Sequence, residues 1–242
     1  MKTALVTGSS RGIGRAIAIR LAKDGYRIIV HGANNIQKAN ETKQIIEQNG
    51  GVAEVCIYNL CDVDGIKDFA QNLGNIDVLV LNASLQYDTL IDKITPDDML
   101  RHFTCNAVSS LMLIKSVLPY MKKQKWGRII TVGSINEKKP IARLMAYSAS
   151  KAAQTNISLS LSVQVAKDGI TVNNVAPGVI YTDRNVEVLS DPEYAKKVTD
   201  SIPVGFYGEP EDCAGIVSLL CSEEGRYITG QNIFVDGGKS IQ

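Results

Sequence analysis

The sequence predicts a single α/β domain, with about seven parallel strands covered by helices on both faces. Three observations carry that expectation. Short apolar runs alternate along the whole chain with longer segments of helical period, the pattern of a sheet built through helical crossovers. A glycine-rich turn follows the very first apolar run and opens a helical pattern, which is the form of a phosphate cradle. The length, 242 residues with 45 % hydrophobic side chains, suits one buried core, and neither a linker nor an internal repeat divides it.

Taken in order, Ala4-Leu5-Val6-Thr7 opens the first strand, near 3–7. Further strands are expected near 27–31, 53–58, 77–81, 127–133, 170–175 and 232–236. Several are near-continuous apolar runs, as strands covered on both faces must be. Helices are expected near 13–24, 37–49, 63–73, 97–123, 146–168 and 210–222, where apolar residues recur at helical spacing. The least regular stretch, 181–206, mixes charged residues with Pro192 and Pro203. Its place after a strand end makes it a candidate substrate lid, against the alternative of an ordinary surface loop.

Charge and cysteine usage exclude several classes. With 26 basic and 25 acidic side chains, nothing points to nucleic acid or to an anionic membrane. No apolar run reaches the ~18 residues of a bilayer span, and no signal peptide precedes the first strand, so the expected compartment is the cytoplasm. Cys56, Cys61, Cys105, Cys213 and Cys221 form an odd set without C-x-x-C spacing and read as free thiols. His31 and His102 are the only histidines, and no metal site is expected.

Chemistry concentrates at Tyr147-Ser148-Ala149-Ser150-Lys151. A tyrosine and a lysine four apart project from one helix face. A phenol titrates near pH 10, and bringing it to about 7 needs roughly 4 kcal/mol of preferential phenolate stabilisation. One cation at about 4 Å, in an effective dielectric near 20, supplies on the order of that amount. The pair is thus a proton donor with its own charge partner. Ser134 closes the run Arg128-Ile129-Ile130-Thr131-Val132-Gly133-Ser134, at the carboxyl end of an expected buried strand. Ligands of open α/β sheets bind at that edge, where a hydroxyl can hold a carbonyl oxygen while Tyr147 protonates it. The amino-terminal turn, Gly8-Ser9-Ser10-Arg11-Gly12-Ile13-Gly14, lets backbone amides approach a pyrophosphate at a helix start.

These motifs, in this order, resemble the short-chain dehydrogenase/reductase family, and the resemblance runs from Lys2 to Gly238. It rests on Thr7 to Gly14, Asn106, the Ser134, Tyr147 and Lys151 set, Asn173-Asn174-Val175-Ala176-Pro177-Gly178 continuing to Thr182, and the closing Tyr227-Ile228-Thr229-Gly230-Gln231 with Val235-Asp236-Gly237-Gly238. It implies a doubly wound Rossmann-type domain that transfers hydride between a nicotinamide cofactor and a carbonyl or secondary alcohol. By resemblance Tyr147 is the general acid/base, Lys151 lowers its pKa and binds ribose, Ser134 orients the carbonyl, and Asn106 holds a proton-relay water. One loop departs from the family: Leu81-Asn82-Ala83-Ser84 has leucine and serine where an asparagine and a glycine are usual. Ser84 is therefore expected to shape the substrate pocket, while Asn82 and Ala83 border the cofactor.

Cofactor choice is read at Ile28-Ile29-Val30-His31-Gly32-Ala33-Asn34-Asn35. An NAD enzyme places a carboxylate at this strand end for the ribose 2′-hydroxyl; Gly32 stands there instead. Arg11 can pair with a 2′-phosphate, so NADP(H) is preferred, with His31, Asn34 and Asn35 assisting. Ala33 stands where NADP-dependent relatives often carry arginine, which leaves NAD(H) open. The resemblance also places Asn59 and Leu60 beside adenine and gives Thr182 and the Ile180 backbone to the nicotinamide carboxamide.

For substrate the resemblance extends to 3-oxoacyl-carrier-protein reductases and to glucose or gluconate dehydrogenases. Ser84, Gln86, Asn136, Glu137 and Leu144 are pocket candidates by position, beside Ser134 and Tyr147. Lys122, Lys123, Lys125 and Arg128 form a basic cluster that reads as a dock for an acidic acyl carrier protein or as the solvated carboxyl end of a helix. The family's usual homotetramer is expected, with Leu111, Leu113, Ala152, Leu159 and Val163 serving core or interface. A different class, a non-catalytic NADP-binding sensor or scaffold, is the alternative that the altered loop raises.

Overall fold

The computed structural model describes residues 1–183, 185–186 and 190–242. One parallel sheet runs β3-β2-β1-β4-β5-β6-β7. Its strands are β1 (Thr3–Val6), β2 (Arg27–Gly32), β3 (Val52–Ile57), β4 (Val78–Leu81), β5 (Gly127–Val132), β6 (Ile170–Pro177) and β7 (Asn232–Val235). The order reverses between β1 and β4, so their carboxyl ends diverge there and open a crevice.

Strand alternation sorts the core into two layers. Ala4, Val6, Ile28, Val30, Val78 and Val80 face one side, where they pack with α1 (Gly12–Lys23), α2 (Ile36–Gln48) and α8 (Pro210–Cys221). Leu5, Ile29, Leu79, Leu81, Ile129 and Val172 face the other. That side packs on α3 (Ile66–Asn72), α5 (Ser109–Gln124) and α6 (Met145–Val165). Both faces being apolar is why the strands read as continuous hydrophobic runs rather than alternating ones.

Three elements differ from expectation. The segment predicted as one helix over 97–123 is α4 (Pro96–Phe103), a π turn (Thr104–Val108) and α5. Thr95 starts it with a capping box closed by Asp98. The stretch 181–206 contains α7 (Pro192–Asp200), started by the Asp191 side chain, which accepts from the amides of Glu193 and Tyr194. None of the residues of α7 is fully buried; residues 184 and 187–189 of the candidate lid lie outside the described residues. Finally, the inner face of α6 is polar. Ser158 meets Thr131 at 3.0 Å and the Gln154 amide donates to Ser110 at 2.7 Å, so hydrogen bonds join much of this helix to the sheet and to α5.

Of the residues read as core or interface, Leu113 is fully buried, whereas Leu111 and Val163 are exposed and Ala152 faces solvent too. The five cysteines are free thiols. Among the described residues no helix is long and apolar enough to cross a membrane and no cluster of metal-ligating side chains occurs.

Candidate active site

The crevice at the carboxyl ends of the strands is a cleft of about 800 Å³. The first of its walls is the turn between β1 and α1. Gly8 and Gly12 have φ of +64° and +54°, a region that side chains disfavour. A Cβ on Gly14 would lie 2.4 Å from the Gly8 carbonyl oxygen, so only glycine lets α1 start this close to the strand.

Side chains from three other segments hold the turn. Thr7 Oγ1 accepts from the amides of Asn82 and Ala83 at 2.9 and 3.0 Å. The Asn82 amide donates to the carbonyls of Thr7 and Gly8 at 2.9 and 3.1 Å. Arg15 donates to the Ser10 carbonyl at 2.6 Å. His31 Nδ1 accepts from the Gly8 amide at 3.1 Å, and its Nε2 lies 3.0 Å from the Tyr58 carbonyl. The ring must therefore carry its proton on Nε2 and be neutral. Burial pushes its pKa down to about 4, consistent with that state. His31 was expected to assist a phosphate; with both nitrogens committed and no charge, it braces the loop instead.

A cofactor cradle can be tested on these groups. The α1 amino terminus has no side-chain cap, because Arg11 at the capping position makes no such bond. Its first-turn amides are thus suited to an anion, which the helix dipole favours. Beside it, Arg11 and Lys38 share Asp183, at 3.4 and 3.6 Å, as exposed pairs. Lys38 joins Asn34 and Asn35 in the cleft wall. It was missed in the sequence because it lies inside α2; the signal was Asn35, whose side chain accepts from the Lys38 amide and so aims the first turn of α2 at the cleft. The residues present therefore fit a dinucleotide with a phosphorylated ribose.

Most of the predicted cofactor positions line this cleft: Gly8, Ser10, Arg11, Gly12, Ile13, His31, Asn34, Asn82, Ala83, Tyr147, Lys151, Pro177, Gly178, Ile180 and Thr182. Gly14, Asn59 and Leu60 do not. Leu60 is buried in the core layer under α3 and α5, and the Asn59 side chain accepts from the Cys61 amide at 3.1 Å. The Ile180 carbonyl accepts from Asn185 at 2.8 Å.

The opposite wall carries the chemistry. Ser134, just past β5, caps a short 3-10 turn (Ile135–Glu137), its Oγ accepting from the Asn136 amide at 3.2 Å. Tyr147 enters from the first turn of α6, 6 % exposed. The Lys151 ammonium lies 6.0 Å from the Tyr147 ring centroid and donates to the Val132 carbonyl at 2.7 Å and to Gln154 at 2.9 Å. Lys151 is 1 % exposed, so a positive charge there is little screened by water. Ser134, Tyr147 and Lys151 thus converge on one cleft with the glycine turn.

Asn106 does not line it. Its side chain exchanges bonds with Leu85, at 2.7 and 2.9 Å, and donates to Ser150 at 2.9 Å. Ser150 in turn donates to the Tyr147 carbonyl at 2.7 Å. The side chain thus joins the loop after β4 to the tyrosine helix.

The predicted substrate positions Ser84, Gln86, Ser134, Asn136, Leu144 and Tyr147 all line the cleft. Glu137 is corrected: its carboxylate accepts from Thr155 at 2.7 Å, Asn232 at 2.6 Å and Asn174 at 3.4 Å, which joins α6, β7 and β6 behind the site. Leu81 fills the core at the end of β4, so of the two departures in that loop Ser84 alone reaches the cleft. The basic cluster is also corrected. Lys122 and Lys125 pair with Asp168 at 3.8 and 2.7 Å, and Arg128 is buried against Trp126 at 4.4 Å. It stands at the amino end of β5, the sheet edge away from the cleft.

Known proteins agree with this geometry. Residues 8–240 match a family model described as enoyl-(acyl carrier protein) reductase. A 3-oxoacyl-[acyl-carrier-protein] reductase FabG of Rickettsia conorii is 36 % identical over 237 residues, covering 98 % of this chain and 96 % of that protein. Glucose 1-dehydrogenase 2 of Bacillus subtilis is 34 % identical over 246 residues, covering 99 % and 95 %. The crystal structure of a 3-oxoacyl (acyl-carrier-protein) reductase from Agrobacterium tumefaciens C58 with NADP bound superposes with a TM-score of 0.94 at 36 % identity, covering 98 % and 93 %. The chain belongs to the short-chain dehydrogenase/reductase family of oxidoreductases.

Proposed function

We propose that this protein is an NADP(H)-dependent oxidoreductase that reduces a carbonyl to a secondary alcohol, with Tyr147 as the proton donor. The observation that carries the reading is the convergence of Ser134, Tyr147 and Lys151 on the cleft that the glycine turn opens into. When bound, the nicotinamide supplies hydride. Ser134 holds the carbonyl oxygen, Tyr147 delivers its phenolic proton to that oxygen, and the Lys151 charge stabilises the phenolate left behind. Asn106 positions this set through Ser150. Helix α7, whose Tyr194 and Val198 line the cleft, serves as the described part of a substrate lid.

Support for NADP(H) comes from Arg11 and Lys38 near β2, a strand that ends on Gly32 rather than on a carboxylate, and from the NADP bound to the similar Agrobacterium protein. The reading extends to a cytoplasmic homotetramer. Leu100, Val108, Leu111 and Val163 leave apolar side chains exposed on α4, the π turn, α5 and α6, as an interface would need. Docking of an acyl carrier protein through the Lys122 to Arg128 cluster has no support, since that cluster is at the wrong end of the sheet.

The test is turnover of NADPH, beside NADH, across 3-oxoacyl thioesters, oxo sugars and diketones, repeated with Ser134→Ala. Reduction that prefers NADPH and falls by about 10²-fold or more in the variant is the expected result. Tight NADPH binding with no turnover of any carbonyl contradicts it and favours the sensor.

A further inference from the structure

The half of the cleft beyond Ser134 and Tyr147 carries positive charge that nothing in the proposed chemistry uses. Lys139 follows the 3-10 turn, its amide donating to the Ile135 carbonyl at 2.9 Å. Its ammonium donates to the main-chain oxygens of Lys239 and Gln242 at 3.2 and 2.7 Å. That draws the turn Lys239–Ile241 onto the loop after β5 and sets Lys239 in the cleft wall. The Lys239 ammonium donates to the Ser201 hydroxyl and, among the described residues, pairs with no carboxylate.

Burial first, and the neighbouring Lys139 charge second, hold its pKa below the ordinary lysine range. An ammonium that is partly desolvated, beside a like charge and bonded to a neutral hydroxyl, is disfavoured until an anion arrives. Close by, Asn136 is 8 % exposed and its Oδ1 is buried with no hydrogen-bond partner among the described residues. A buried orphan acceptor in a ligand cleft asks for a donor from the ligand. Of the other cations in the cleft wall, Arg143 meets Asp88 at 3.5 Å, and Arg11, Lys38 and Lys151 already have roles toward the cofactor and Tyr147.

We propose that Lys239, braced by Lys139, binds a carboxylate of the substrate while Asn136 accepts a hydroxyl, so that the preferred substrates are small hydroxylated oxo acids and their reduced forms. The assignment rests on the carbonyl-reductase reading and deepens it. Lys239 lines the same cleft as Ser134 and Tyr147, which suits an anion and a carbonyl carried by one small molecule. In a coenzyme A or carrier-protein thioester the phosphates are separated from the carbonyl by a whole pantetheine arm.

Calorimetric titration of the NADPH-saturated protein with D-gluconate, D-glucose and coenzyme A tests this without requiring turnover. Gluconate is expected to bind at least about tenfold more tightly than glucose, and more weakly as salt is raised. That preference is expected to vanish in Lys239→Met and to persist in Lys239→Arg. Equal binding of the two sugars by the wild-type protein, no measurable gluconate binding, or a preference unchanged in Lys239→Met overturns the proposal. Coenzyme A binding that is tighter than gluconate and lost in Lys239→Met replaces the carboxylate by a phosphate and likewise overturns it. Each of these outcomes leaves the reductase reading standing, since that reading is tested separately by NADPH turnover.

Discussion

At the scale of single residues, His31 has the most direct consequence for pH. Its imidazole is neutral in the folded protein, with a pKa lowered from 6.5 to about 4 by burial. As pH falls, the unfolded chain takes up this proton first, so stability is full above about pH 6.5, declines to about pH 4, and is level below. The loss from this one group is roughly 3 kcal/mol. Urea midpoints across that range should fall steeply in the wild-type protein and more shallowly in His31→Asn. Arg11 and Lys38 carry a second residue-scale expectation. If they meet a 2′-phosphate, Arg11→Ala with Lys38→Ala should cut the preference in kcat/KM for NADPH over NADH by about tenfold or more, and an unchanged ratio would assign the phosphate elsewhere.

At the scale of elements, the Glu137 carboxylate takes hydrogen bonds from α6, β6 and β7. Glu137→Gln turns a donor toward those donors and should cost about 1–3 kcal/mol, read as a lowered Tm by calorimetry. All seven strands were legible in the sequence, because each holds a short run of mostly apolar or β-branched residues bounded by turn residues. The helix Pro192–Asp200 was not, since its nine residues offer only Tyr194, Ala195 and Val198 as an apolar face, too short a run for periodicity to show. Asp191-Pro192 was the clue available: a capping side chain followed by a proline at the first helical position. The π turn was invisible for a different reason. It sits where the Asn106 side chain bonds to Leu85 and Ser150, contacts spanning distant parts of the chain. The site divides in the same way. Tyr147 and Lys151 share one helix, so their spacing revealed them. Lys38, Lys139 and Lys239 come from three separate segments, and only the folded sheet edge brings them to one cleft.

At the scale of the whole molecule, the doubly wound order places the glycine turn, Ser134 and the P-G segment Pro177-Gly178 on one edge of the sheet. The basic cluster and the amino ends of the strands fall on the other. Val163, 81 % exposed on α6, offers a check on assembly. Val163→Glu would bury a charge in the proposed interface, so light scattering should show a smaller species than the tetramer proposed for the wild-type protein; the same mass for both would move the interface elsewhere. The central claim is that the Tyr147 proton is what the cleft delivers to a carbonyl oxygen. Its most direct measurement is the single-turnover oxidation of NADPH by the best carbonyl substrate in wild-type protein and in Tyr147→Phe, with NADPH affinity measured in both. A rate lowered by about 10²–10⁴-fold, at NADPH affinity within about twofold, is the result this geometry predicts, and a Tyr147→Phe protein that turns over at the wild-type rate contradicts it.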